Sequence, residues 1–221
     1  MTRPFDVITF DCYGTLIDWE TGITEAFRSA AEADGVSLDP AAALRAVLER
    51  DPEAQAAEYR SYRELLTDTA VRVGKRFGWT ISRARAAFLP ESLPLWKPFP
   101  DTNDALKRLS QAGYALGILS NVDDDLLAGT RRHLAVTFSL LVTAQQVRSY
   151  KPAPGHFTTA RNRIGAQRWL HAAQGYFHDV EPAVAHRIPV VWINRKAEQP
   201  TGVARPDREV RTLTELADWL A

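Results

Sequence analysis

Four polar residues stand at the ends of apolar runs of the kind that form buried strands, and their types suit covalent hydrolysis. Asp11 follows Phe5–Phe10, Ser120 and Asn121 follow Tyr114–Leu119, and Asp179 lies in the loop after Trp169–Ala173. A carboxylate fixed at the end of a strand can attack an electrophilic carbon or phosphorus, giving an acyl- or phospho-enzyme ester. Hydroxyls and turn amides beside it can orient both partners by hydrogen bonds.

The elements that would position these groups alternate. Pro189–Ile193, rich in β-branched residues, reads as a fourth strand, and Phe138–Val142 as a weaker one. Asp101–Ala112 has apolar Ala105, Leu106 and Leu109 at helical spacing and stops at Gly113. Strands alternating with helices predict an α/β fold with a Rossmann-like parallel sheet covered on both faces. Ligands bind such sheets beyond the carboxyl ends of the strands, where Asp11, Ser120, Asn121 and Asp179 converge.

The stretch from Asp18 to Lys97 differs, with helical periodicity and no convincing strand. Leu44, Val47 and Leu48, then Tyr62, Leu65, Leu66 and Thr69, recur at helical spacing, and Pro94, Pro98 and Pro100 close the segment. The predicted organisation is a catalytic core of residues 1–17 and 98–221, with a helical cap of residues 18–97 inserted after the first strand.

Composition narrows the partners. Among 221 residues, Lys plus Arg and Asp plus Glu number 27 each, so no global field favours nucleic acid or an anionic membrane. One cysteine, Cys12, excludes an internal disulfide and suits a reducing compartment. Met1–Phe10 lacks the pattern of a signal peptide, and no apolar run approaches the roughly 20 residues of a membrane span. The expectation is a cytoplasmic protein.

Four segments, in order, resemble the motifs of the haloacid dehalogenase superfamily: Asp11-Cys12-Tyr13-Gly14-Thr15, Leu119-Ser120-Asn121, Tyr150-Lys151-Pro152, and the loop holding Asp179. They span about residues 5 to 195. The resemblance implies that Asp11 is the nucleophile, that Lys151 supplies a fixed positive charge, and that Thr15 and Ser120 donate hydrogen bonds.

Two departures point to a branch. Superfamily phosphatases carry a second aspartate two residues after the nucleophile, where this chain has Tyr13. They also bind magnesium through an acidic residue that here corresponds to Gln174. A hard dication needs anionic oxygens, whereas a departing halide needs neither proton nor metal. The chain is therefore most similar to the 2-haloacid dehalogenases, whose first motif often reads Asp-x-Tyr-Gly-Thr, and neither metal nor organic cofactor is expected.

By this resemblance Asp11 displaces halide from C2 of a short 2-haloacid, and water then cleaves the aspartyl ester. Ser120 and nearby amides would hold the substrate carboxylate, and Asn121 with a cap arginine the halide. Arg45 is the arginine chosen from position, with Arg50, Arg60 and Arg63 as rivals. Asp179 or His178 would activate water, the latter oriented by Glu20. Tyr13, Cys12, Trp19 and Phe177 complete the substrate-lining set, although the Cys12 side chain reads as small, buried and facing away. Trp96 and Phe177 also suit ordinary core packing, and His171, inside a strand, reads as a satisfied core histidine. Phe157 stands where relatives often place a tyrosine. The resemblance makes a homodimer plausible. The rival readings are a small-molecule phosphatase, a hydrolase opening a strained cyclic carboxylate, and a silent binding protein.

Overall fold

The computed structural model describes residues 3–49 and 59–221. Its strands are β1 (Val7–Phe10), β2 (Ala115–Ser120), β3 (Leu140–Thr143), β4 (Trp169–Ala173), β5 (Val190–Ile193) and β6 (Arg208–Val210). The helices in chain order are α1 (Trp19–Ala33), α2 (Pro40–Leu48), α3 (Tyr62–Arg76), α4 (Arg83–Ala86), α5 (Phe88–Ser92), α6 (Thr102–Gln111), α7 (Asp124–Thr130), α8 (Ala144–Val147), α9 (Gly155–Ile164), α10 (Glu181–Ala185) and α11 (Leu213–Leu220). Among the described residues no helix is long and apolar enough to cross a membrane.

The six strands form one parallel sheet in the order β3-β2-β1-β4-β5-β6. Every residue of β1 and β4 is buried, as the unbroken apolar runs require of strands covered on both faces. The order reverses beside β1, so the crevice between the carboxyl ends of β1 and β4 is the place such a sheet offers a ligand.

Four strand boundaries differ from the sequence reading: β2 lies one residue later than Tyr114–Leu119, β5 starts one residue after Pro189, and β1 and β3 each start two residues later. β1 begins at Val7 because Asp6 is occupied with Arg168: its carboxylate accepts from the Arg168 backbone N–H at 2.9 Å and guanidinium at 2.7 and 3.0 Å. β3 runs Leu140–Thr143, after Ser139 N–H has donated to the Leu116 carbonyl. β6 was not expected, because a three-residue edge strand bearing exposed Arg208 and Glu209 carries no apolar alternation.

The chain divides into two compact units, one of Met1–Asp18, Pro98–Asn121 and Arg132–Ala221, the other of Trp19–Lys97 and Val122–Arg131. The second is helical and is inserted after β1. Val122–Arg131 goes with it because the Asp123 carboxylate accepts from the Tyr62 and Arg63 backbone N–H groups, both at 2.9 Å, at the start of α3. Orphan N–H groups at a helix start are stabilised by an anion. Ser61 and Glu64 add a reciprocal capping box there. Within α1, Gly22 lies flat against Trp96, where a Cβ would come 2.3 Å from the indole. Trp96 is thus a core residue of this unit. In α2 the buried positions are Ala43 and Ala46, while Leu48 is half exposed, so the inward face is rotated from the predicted leucine stripe.

Candidate active site

Asp11 sits one residue past β1, where the backbone folds sharply back. The Leu16 and Ile17 N–H groups donate to the Cys12 carbonyl at 2.8 and 3.0 Å, and Gly14 N–H donates to Ile17 at 2.8 Å. Gly14 has a φ of 97°, a left-handed conformation that glycine adopts without a Cβ penalty. This loop returns Thr15 over the carboxylate, where its hydroxyl donates to Asp11 Oδ2 at 3.0 Å and accepts the Gln174 backbone N–H at 2.9 Å. The carboxyl ends of β1 and β4 are thereby tied together at the reversal of strand order.

The other oxygen, Asp11 Oδ1, accepts from Lys151 Nζ at 2.9 Å. The same ammonium donates to the Leu119 carbonyl at 2.8 Å and to Asp179 Oδ1 at 2.5 Å. An ammonium has three protons, and all three are placed. Lys151 therefore organises two carboxylates. Its own backbone is held in turn: Asn121 Oδ1 accepts the Lys151 N–H at 2.7 Å, and Asn121 Nδ2 donates to the Lys151 carbonyl at 3.1 Å. His178 Nδ1 reaches the same carbonyl at 2.8 Å. A carbonyl only accepts, so His178 carries a proton at Nδ1 and, when neutral, its basic electron pair at Nε2.

Lys151 and Asp179 are each 2 % exposed and Asp11 8 %. Burial is the largest influence on all three. It works against the Lys151 ammonium, but the flanking Asp11 and Asp179 overcome it and raise the lysine above its ordinary value. Burial would also raise Asp179, yet Lys151 and then His171 override it and bring that carboxyl down to about 2. At Asp11 burial prevails, reinforced by the Asp179 anion and opposed by Lys151, and the carboxyl stays above the usual aspartate value. One cation shared by two carboxylates makes Asp179 the standing anion and Asp11 the more basic oxygen nucleophile.

Ser120, at the end of β2, is fully buried, and its hydroxyl has no hydrogen-bond partner among the described residues. A buried polar group left so costs about 1–3 kcal/mol, and functional sites are where that cost is met. The Ser120 carbonyl accepts from His156 Nε2 at 3.0 Å. Burial, then the Lys151 charge, lower His156 to about 4, so it is a neutral donor.

The remaining predicted residues divide. Tyr13 is half-buried and bridges to Ile17, and Cys12 is fully buried, its thiol pushed up first by burial and then by Asp11. The Gln174 side chain donates to Glu198 at 3.1 Å. Phe177 is exposed beside the His178 ring. Phe157 is buried in the core, edge-on to His171 at 5.4 Å, a packing role that needs no hydroxyl. Trp19 and Glu20 open α1 in the helical unit. There Arg45 is an exposed residue 3.5 Å from Asp39, Arg60 pairs with Asp68 and Arg63 with Asp125, each at 2.5 Å. Arg50 lies outside the described residues.

Three contributors escaped the sequence reading. His171 is fully buried with both ring nitrogens bonded, as a core histidine should be, but one partner is Asp179. Arg195 donates to the Thr15 carbonyl at 2.9 Å and to Asp101 at 3.2 Å while covering the Phe99 ring at 4.0 Å, so it buttresses the nucleophile loop. Gly175 lies against Asp179, where a Cβ would stand 2.7 Å from Oδ2. Only the first carried a signal: a polar ring inside an apolar run, eight residues before the aspartate.

A family model described as haloacid dehalogenase-like hydrolase matches residues 5–175, which include the first three motifs and end four residues before Asp179. The chain belongs to that family. Among its relatives is the (S)-2-haloacid dehalogenase H-109 of Pseudomonas putida, 28% identical over 99% of both chains. The defluorinating L-2-haloacid dehalogenase Rha0230 has a similar fold, with a TM-score of 0.85, 22% identity and coverage of 98% of this chain and 95% of that one. So does the Xanthobacter autotrophicus L-2-haloacid dehalogenase with chloropropionic acid covalently bound, at a TM-score of 0.83, 17% identity and 97% coverage of each. Membership in these hydrolases accounts for the motif order and for the helical insertion after β1.

Proposed function

We propose that this hydrolase is an (S)-2-haloacid dehalogenase that works through a covalent ester on Asp11 and needs no metal. The observation that carries the reading is the pairing of a basic, nearly buried Asp11 with a lysine whose three protons are committed to Asp11, Asp179 and the Leu119 carbonyl. An Asp11 oxygen attacks C2 of the substrate, the carbon–halogen bond breaks with its electron pair leaving on halide, and C2 inverts. Ser120 Oγ holds the substrate carboxylate. Asn121 remains the proposed halide contact. Water then attacks the aspartyl carbonyl carbon, its proton passing to His178 Nε2 or to Asp179, and the 2-hydroxy acid departs as Asp11 returns to carboxylate. The relatives named (S)-2-haloacid dehalogenase support this substrate class.

Donor chemistry favours the metal-free reading over a phosphatase. Gln174 is neutral and turned to Glu198, and Asp179 Oδ1 is committed to Lys151 and His171. That set does not suit a hard dication, which takes several anionic oxygens.

The test is halide release from short 2-haloacids in the presence of EDTA, comparing wild type with Asp11→Asn. Release that persists in EDTA and disappears in the variant is expected. In a single turnover in heavy-oxygen water, the label should enter Asp11 and not the product. Magnesium-dependent phosphate release without halide release would refute the reading.

A further inference from the structure

We propose that His171 is a positioning residue for Asp179, set in a single tautomer by a hydrogen-bond line that starts at Trp169 and passes through Thr9. The proposal deepens the reading of the site given above and rests on it.

Thr9 and His171 are register partners across β1 and β4, and Trp169 lies two residues before His171, on the same face of the strand. Trp169 Nε1 is 2.7 Å from Thr9 Oγ1, Thr9 Oγ1 is 2.8 Å from His171 Nδ1, and His171 Nε2 is 3.1 Å from Asp179 Oδ1. All four side chains are buried. The proton positions follow from donor chemistry. An indole nitrogen only donates and a carboxylate only accepts, so His171 carries its proton on Nε2. A ring carrying that one proton accepts at Nδ1, the Thr9 hydroxyl points its proton there, and the Thr9 oxygen receives the indole N–H. Every donor in the line faces Asp179.

This arrangement exceeds what packing demands, since a leucine or phenylalanine would fill a strand interior without two buried partners. Its end point is the oxygen that Lys151 also uses. With two donors on Oδ1, the Asp179 carboxylate cannot turn about its Cβ–Cγ bond, and Oδ2 is held against Gly175. The groups facing the ring are Asp179 and, beyond it, Lys151 and Asp11, with His156 on α9 and the Phe157 edge on the other side. Without the Nε2 proton, Asp179 can rotate and draw the shared ammonium away from Asp11.

The variants Thr9→Val, His171→Asn and His171→Gln separate this role from packing. Glutamine places an amide nitrogen near the Nε2 position and asparagine near Nδ1, so only glutamine can restore the bond to Asp179. His171→Asn is expected to lower kcat about 10- to 100-fold, the equivalent of one hydrogen bond to a charged group, and Thr9→Val by less, with KM little changed in both. His171→Gln should recover most of the loss. Folding of each variant is checked by circular dichroism. Imidazole nitrogen NMR on the wild type supplies a readout that needs no substrate: His171 should be neutral with its proton on Nε2, and Thr9→Val should give a mixed tautomer.

A wild-type ring protonated on Nδ1 alone or on both nitrogens would overturn the proposal. So would folded Asn and Gln variants that match wild type in kcat. Absence of halide release by the wild type would refute the dehalogenase reading instead, and the NMR result would still decide the tautomer.

Discussion

Asp179 Oδ1 receives the Lys151 ammonium at 2.5 Å and the His171 ring at 3.1 Å, so the site's cation and a core histidine meet on one oxygen. Lys151→Met removes the charge that two buried carboxylates share. Breaking a buried pair costs about 3–5 kcal/mol, and halide release should fall to background. Urea unfolding should show a smaller loss at pH 5 than at pH 8, because a proton on one carboxylate relieves the repulsion. Equal destabilisation at both pH values would argue against the shared-cation arrangement.

Ser120→Ala should behave in the opposite way. Its hydroxyl has no partner among the described residues, so its loss should leave stability nearly unchanged. KM for a 2-haloacid should rise about 10- to 100-fold, as for loss of one charge-assisted hydrogen bond. A clear fall in melting temperature would show that the hydroxyl serves the fold.

Acid stability follows from His156 and Asp179. His156 is held neutral down to about 4, whereas the unfolded chain binds that proton near 6.5. Its contribution is complete above pH 6.5 and is lost as pH falls toward 4, about 3 kcal/mol in all. Asp179, lowered to about 2 from 3.8, adds a second loss below pH 3.8. Urea titrations from pH 8 to pH 3 should show both, and His156→Gln should flatten the first.

Gly175→Ala tests the space beside Asp179. The backbone there has a φ of −68°, so alanine brings no conformational strain, but its Cβ would stand 2.7 Å from Oδ2. A shift approaching 1 Å in the carboxylate should cost on the order of 100-fold in kcat. Wild-type turnover in a folded variant would show that this oxygen's position is immaterial.

The sheet was legible because its strands are dense apolar runs, and Asp11, Ser120 and Asp179 because each stands just beyond one. Strand starts were less so: Phe5–Asp6 runs straight into β1, while the Asp6 carboxylate is taken by Arg168. The core position of His171 was readable from its apolar neighbours. Its partners were not, since Thr9 lies 162 positions away and no local periodicity reports such a pairing. The same holds for Asp123, which reads as a loop acid and serves as the anion of a helix start 61 residues earlier.

The strand order also sets a timetable. β1 lies between β2 and β4, and Asp11 is 140 positions ahead of Lys151. A ribosome adding about 5–20 residues per second separates their synthesis by several to tens of seconds. During that interval the three apolar residues of β1 and the nucleophile exist without the neighbour that covers one edge or the ammonium that balances the charge. A nascent chain stopped before Lys151 carries every atom of Asp11 and neither its ammonium nor its covering strand.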